Sequence, residues 1–218
     1  MPSTAPPDTL APNRYVDSDH PRVIAYAKAH AGDDSAPIAR AVSLYYAVRD
    51  GWRYSPWNVH FEKSEYAAST ILARDPDVGA HCIDKALVLA AACRVFGIPS
   101  RLHFANVRNH IGTARLEATL GTDLLVYHGY AELFLEGRWV AATPAFNTAL
   151  CQKLGVQALE FDGRSDSIFQ EYDAEAGRFM EYVTDHGTHA GIPFDAMVAA
   201  WRHHYTPLRE SGRWPEPR

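Results

Sequence analysis

Between Gly79 and Pro99 the sequence carries an apolar helical stretch with its own start and stop signals, and this stretch most limits the folds open to the chain. Gly79 breaks the preceding segment, and Cys82 to Phe96 then reads as a helix with Ile83, Ala86, Leu87, Ala90 and Ala91 on one stripe. Gly97 suits the C-terminal cap and Pro99 prevents continuation. Arg101 to Val107 follows as a strand with Leu102 and Phe104 on one face. Leu124 to Leu135 and Arg138 to Thr143 read as two further strands joined at Glu136-Gly137, the shortest kind of hairpin connection. A buried helix followed by antiparallel strands places the chain in the α+β class.

At 218 residues the chain is long enough to bury a core and short enough for one compact domain with modest additions. Residues 1–21 are rich in proline and lack a periodic apolar pattern, so an extended surface arm is expected. Helical spacing recurs from Ile24 to Ala29 and from Ala36 to Val48, with Asp33, Asp34 and Ser35 as caps before the second run and Asp50-Gly51 ending it. Trp52 to His60 is an aromatic loop in which Ser55-Pro56 forces an extended or turn conformation. After Pro144 the pattern becomes irregular, with an edge strand at Met180 to Val183 and a closing helix from Pro193 to Tyr205. The division expected is an arm over 1–21, a core over 22–150, and a C-terminal extension over 151–218 packed on the core.

The helix begins at a cysteine, and the strands after it carry a histidine. A helix start offers unsatisfied N–H groups and a partial positive charge, which favour the thiolate of Cys82 and can receive the oxyanion formed when that thiolate adds to a carbonyl. His128 is the expected base, provided the fold brings it to the sulfur. With Glu136 and Gly137 as the loop, Leu135 faces Arg138, Leu133 faces Val140 and Tyr130 faces Thr143. Thr143 then lies diagonal to His128, where a third group would hold the imidazole. Glu132 shares the His128 face but lies about 13 Å along the strand, too far to substitute.

Gly79-Ala80-His81-Cys82-Ile83-Asp84-Lys85-Ala86, the run Arg94 to Arg101 reading RVFGIPSR, and Tyr127-His128-Gly129-Tyr130-Ala131-Glu132 resemble the three signature blocks of the transglutaminase-like superfamily. Gly137 to Pro144, reading GRWVAATP, continues the resemblance, which covers about residues 36 to 147. It implies a papain-like core, with the cysteine helix packed on an antiparallel sheet, and a Cys-His-Asp triad. The family includes protein cross-linking enzymes, peptidases, amidases and non-enzymatic relatives, so a peptide, a protein or a small amide is the implied partner. Where the family has Asp before Pro, this sequence has Thr143, which can accept an imidazole N–H but carries no charge. The family's upstream oxyanion-assisting side chain directs attention to Trp52, Trp57 and Asn58 as a pocket wall.

Two functional readings remain open: acyl transfer through a Cys82 thioester, to water or to an amine, and a catalytically impaired module that binds a peptide or protein. Cys93 and Cys151 read as packing, and three cysteines with Cys82 and Cys93 about 16 Å apart along one helix read as free thiols. Eleven histidines raise the question of a metal, with His81-Cys82, His186 with His189, and His203-His204 as the groups, but no CxxC pair or HExxH helix is present. Neither a metal nor a cofactor is expected. Asn109, His110 and Asp123 fall in a strand connection that could touch substrate. A formal charge of −5 without a basic patch argues against a nucleic-acid binder. The longest apolar run is too short to span a bilayer and the N-terminus has no secretory pattern, so a cytoplasmic location is expected.

Overall fold

The computed structural model describes residues 5–110, 113–169, 172, 173, 177, 178 and 180–210. Residues 1–4 of the expected arm and 211–218 of the expected extension lie outside them. The elements in chain order are α1 (Pro21–His30), α2 (Pro37–Gly51), α3 (Ala68–Ile71), α4 (Cys82–Val95), β1 (Ser100–Asn109), α5 (Thr113–Leu120), β2 (Leu124–Leu135), β3 (Arg138–Ala142), α6 (Thr148–Leu154), β4 (Tyr172–Asp173), β5 (Gly177–Arg178), β6 (Met180–His189), α7 (Phe194–His204) and α8 (Thr206–Glu210). An antiparallel sheet in the order β3-β2-β1-β6 forms one layer, and β4 pairs with β5 apart from it.

α4 is the centre of the molecule. Every residue from Cys82 to Arg94 is buried, so the helix expected from sequence to bury a single apolar stripe is in fact covered on all sides. The reason is its surroundings, since α4 packs on β1 and β2 with one side and on α1, α2 and α3 with the others. The polar groups on it are paired accordingly. Lys85, fully buried, donates to the carbonyls of Arg49 at 2.8 Å and Ala145 at 2.9 Å. Arg94 donates to Ser100 and to the carbonyls of Ala11 and Ala190. Burial pushes the Lys85 ammonium down to about 7, even though both carbonyls receive its protons.

The N-terminal segment, expected as a surface arm, is tied into the body. Val16 is fully buried, the Tyr15 carbonyl accepts from Ala68 N–H, and Asn13 bridges to Ala190. The segment expected as an extension supplies β6, which pairs with β1 along the same sheet, so residue 150 marks no boundary in the sheet. The α5 and α6 helices occupy stretches that sequence reading left as connections.

β1 and β2 contain the irregularity that matters most for the site. Ala105 pairs with His128 and Val107 with Leu125, so Asn106 alone stands opposite Val126 and Tyr127. This is a β-bulge, and Tyr127 takes a φ of 56°, in the left-handed region. Its backbone groups are satisfied from elsewhere: Tyr127 N–H donates to Asn106 Oδ1 at 3.0 Å, Val126 N–H to the Tyr205 hydroxyl at 2.7 Å, and Trp201 Nε1–H to the Val126 carbonyl at 2.7 Å.

Candidate active site

Cys82 is the first residue of α4, and His81 before it is extended, with φ −77° and ψ 165°. The approach to this start is held from the 52–60 loop. Ala80 N–H donates to the Arg53 carbonyl, Ser55 N–H to the Ala80 carbonyl, and Asn58 Nδ2 to the Gly79 carbonyl. His81 N–H donates to Asp84 Oδ2 at 3.0 Å, closing the first turn. Asp84 has no solvent exposure and lies 3.2 Å from Arg74, yet burial still pushes its carboxyl up to about 6.

Cys82 is 2% exposed. Burial, with the Asp84 carboxylate, pushes its thiol up to about 12, against a smaller opposing effect of the backbone at Gly129, Ile83 and Cys82 itself. Two imidazoles occupy the same interior. His81 places Nδ1 at 3.5 Å and Nε2 at 3.9 Å from Cys82 Sγ. His128, on β2 beside Gly129, is 2% exposed, and neither of its ring nitrogens has a hydrogen-bond partner among the described residues. Burial pushes His128 down to about 4 and, with smaller contributions from His128 and His60, His81 down to about 3. Burial thus favours the neutral forms of the thiol and of both imidazoles around pH 7.

The walls are aromatic. Tyr54 lies parallel to His81 at 6.5 Å and against Phe146 at 4.7 Å; Phe146 meets Phe169 at 4.8 Å; Phe169 meets His128 at 5.5 Å; and Trp201 of α7 sets its edge to His81 at 6.3 Å.

The structure brings Cys82 and His128 to the same interior and surrounds them with neighbours other than those expected from sequence. The β2–β3 register is as expected for all five pairs from Leu135↔Arg138 to Ala131↔Ala142, and there the ladder ends. Past Ala142 the backbone turns to another partner, with Thr143 N–H donating to the Ser167 carbonyl at 2.9 Å, so Tyr130 and Thr143 do not pair. Thr143 Oγ1 is buried and bonded to nothing among the described residues, so the expected bond to His128 is absent. Of the expected pocket wall, Trp52 is buried against Tyr26 at 5.8 Å, Trp57 is half-buried on the core, and Asn58 is committed to the Gly79 carbonyl. The loop reaches the chamber through Tyr54 instead. Glu132 pairs with Arg101 and His103, away from the site. Asn109 ends β1 and takes the Asp123 carbonyl on its N–H. His81, considered in the sequence only as a metal ligand, lies beside the Cys82 sulfur, a nearness whose signal was its place directly before the helix. Among the described residues no group of three His, Cys, Asp or Glu side chains is arranged to hold a metal ion.

The family model of the transglutaminase-like superfamily matches residues 24–144, more than half of the chain. The chain belongs to the transglutaminase-like superfamily. The matched stretch runs from α1 to the end of β3 and includes Cys82, His128 and Thr143. Among solved structures, a candidate cysteine protease from Cytophaga hutchinsonii is similar, with a TM-score of 0.51 at 16% identity over 87% of this transglutaminase-like chain and 48% of that protein. This likeness shows the shared fold, and the chain spans about half of that protein's length. No curated protein matches the sequence. Among the described residues, no helix is long and apolar enough to cross a membrane.

Proposed function

We propose that the chain is a cysteine acyl-transfer enzyme in which Cys82 attacks an amide carbonyl and carries the acyl group as a thioester. The observation that carries this reading is the place of Cys82 as the first residue of a buried helix, where the unsatisfied N–H groups of the first turn lie. Those donors suit a thiolate and the oxyanion formed as it adds to a carbonyl. In the family's order the base is His128. Because the resting thiol and imidazoles are neutral, the proton leaves sulfur as the carbon–sulfur bond forms, rather than from a standing ion pair. The aromatic walls favour an uncharged acyl group from a peptide, a protein or a small amide. The Cytophaga hutchinsonii neighbour gives hydrolysis some weight over amine transfer.

A second reading is a binding module, favoured by the unpartnered nitrogens of His128 and the unpartnered hydroxyl of Thr143. Incubation with an activated acyl ester, followed by intact mass and peptide mapping, separates the two. An acyl adduct on the peptide containing Cys82, absent in Cys82→Ala and released by water or an added amine, supports the enzyme. Absence of any adduct, with peptides retained reversibly by wild type, supports the module.

A further inference from the structure

We infer that Asn106, backed by His186, is the positioning residue that keeps His128 on the face of β2 from which it serves Cys82. The inference rests on the reading of Cys82 as nucleophile and His128 as its base. It concerns how a histidine is aimed when neither ring nitrogen has a partner among the described residues. Strand register carries the argument. Val107 lies opposite Leu125 and Ala105 opposite His128, so Leu125 and His128 share a face of the sheet although they are three residues apart. Side chains alternate along a strand, so that odd spacing needs the extra residue of the bulge. Paired regularly from Leu125 onward, β2 would set Tyr127 opposite Ala105 and His128 opposite Phe104, the place that Gly129 now holds. The imidazole would then be driven towards α4, where a Cβ on Gly129 would already lie 3.1 Å from Ile83 Cγ1 and from Phe104 Cε1. Keeping the bulge is therefore what keeps His128 in the site.

Asn106 is the residue opposite the bulge, and it is buried, at 8% exposure. Tyr127 N–H donates to its Oδ1 at 3.0 Å, and His186 Nε2 of β6 donates to the same oxygen at 2.9 Å. The His186 ring also lies flat on the Tyr127 ring, 4.1 Å away with 5° between the planes. One carboxamide and one imidazole thus grip the bulged residue by its N–H and by its side chain together. Tyr127, at a φ of 56°, has a backbone conformation that a bulky residue keeps only where its surroundings over-determine it. Asn106 and His186 supply that constraint at Tyr127, as Trp201 and Tyr205 do at Val126. His128 is the next residue, so its direction follows from theirs.

The test is the rate of Cys82 acylation by 4-nitrophenyl acetate in the full chain, followed by intact mass and peptide mapping. Asn106→Leu, close in volume but without the acceptor, should acylate about 100-fold more slowly, the loss expected of a base displaced by about 1 Å. Asn106→Asp, which keeps an oxygen for both donors, should recover most of the rate. The decisive comparison is made in the His128→Gln background. There Asn106→Leu should cost nothing further, because a residue that acts through His128 has nothing left to aim. A wild-type rate in Asn106→Leu, no recovery in Asn106→Asp, or an equal loss in both backgrounds overturns the assignment and leaves Cys82 standing. Should Asn106→Leu not fold, His186→Ala, on the edge strand of the sheet, takes its place in the same comparison. A loss seen with His128 and absent in His128→Gln supports the clamp, and no loss, or an equal one, overturns it. If wild-type Cys82 forms no adduct, the nucleophile reading falls and takes this inference with it.

Discussion

Thr143 and His128 make no hydrogen bond to each other, and each leaves buried polar atoms without a partner among the described residues. A hydroxyl that is desolvated and unbonded opposes folding, so Thr143→Val, close in volume, should stabilise the protein by about 1 kcal/mol, as a shift of the urea midpoint to higher concentration. A loss of stability would show that Oγ1 is bonded after all. The two site histidines make a second prediction. His128, pushed down to about 4, and His81, pushed down to about 3, stay neutral in the fold, whereas the unfolded chain protonates both near 6.5. In that interval the unfolded state holds more protons, so their contribution is full above pH 6.5 and is lost as pH falls towards 4 and 3. For His128 the loss is on the order of 3 kcal/mol at 1.36 kcal/mol per pH unit. Asp84, pushed up to about 6, takes its proton in the fold first and offsets one of the two histidines. His103, held between Glu132 and Asp185 and raised, contributes in the opposite sense, its stabilisation being lost as pH rises above its folded value. The urea midpoint should therefore fall between pH 6.5 and 4, and His128→Phe should make that fall shallower. An unchanged slope would mean that His128 is solvated.

At the scale of elements, the site depends on how the chain enters α4. Gly79 has a φ of 85° and ψ of 173°, a conformation open essentially to glycine alone, and an added Cβ would lie 2.7 Å from the Arg53 carbonyl oxygen and 2.9 Å from Ser55 Cβ. Gly79→Ala should cost about 1–3 kcal/mol in chemical denaturation and slow Cys82 chemistry, because the hydrogen bonds that fix the helix start run through the same backbone. A variant with wild-type stability would show that the loop yields freely. This element was the most legible in the sequence, since Gly79, Gly97 and Pro99 mark its limits by backbone chemistry that needs no tertiary partner. The hairpin was legible for the same reason, with Glu136 at φ 48° and Gly137 at φ 84° forming the two-residue turn. α6 was not read, although Gly155 at φ 68° caps it, because seven residues are too few for a periodic pattern to stand out. The bulge at Val126-Tyr127 has no local mark at all. Its backbone partners are Trp201 and Tyr205, 75 and 79 residues later, and no short window of sequence contains both sides of that bond.

At the scale of the molecule, those two bonds make α7 part of the site's support. Tyr205→Phe would leave a buried Val126 N–H unpaired, at a cost of about 1–3 kcal/mol, and should lower Cys82 reactivity by loosening the strand that carries His128 and Gly129. The check is denaturation together with labelling of Cys82; an unaltered midpoint and labelling rate would mean that water replaces the phenol. The same dependence explains why Cys82 and His128 could each be placed on an element from sequence while the geometry between them could not: local signals mark each element, and distant residues set where the elements meet. It also bears on the chain as it is made. Synthesis proceeds from the N-terminus, so α4 and its cysteine leave the ribosome well before Tyr205 does. Until residue 205 has emerged, the Val126 N–H lacks the phenol that caps the bulge. The nascent polypeptide thus passes through lengths at which the cysteine helix is complete and the residues that hold the backbone of Val126 are not yet made.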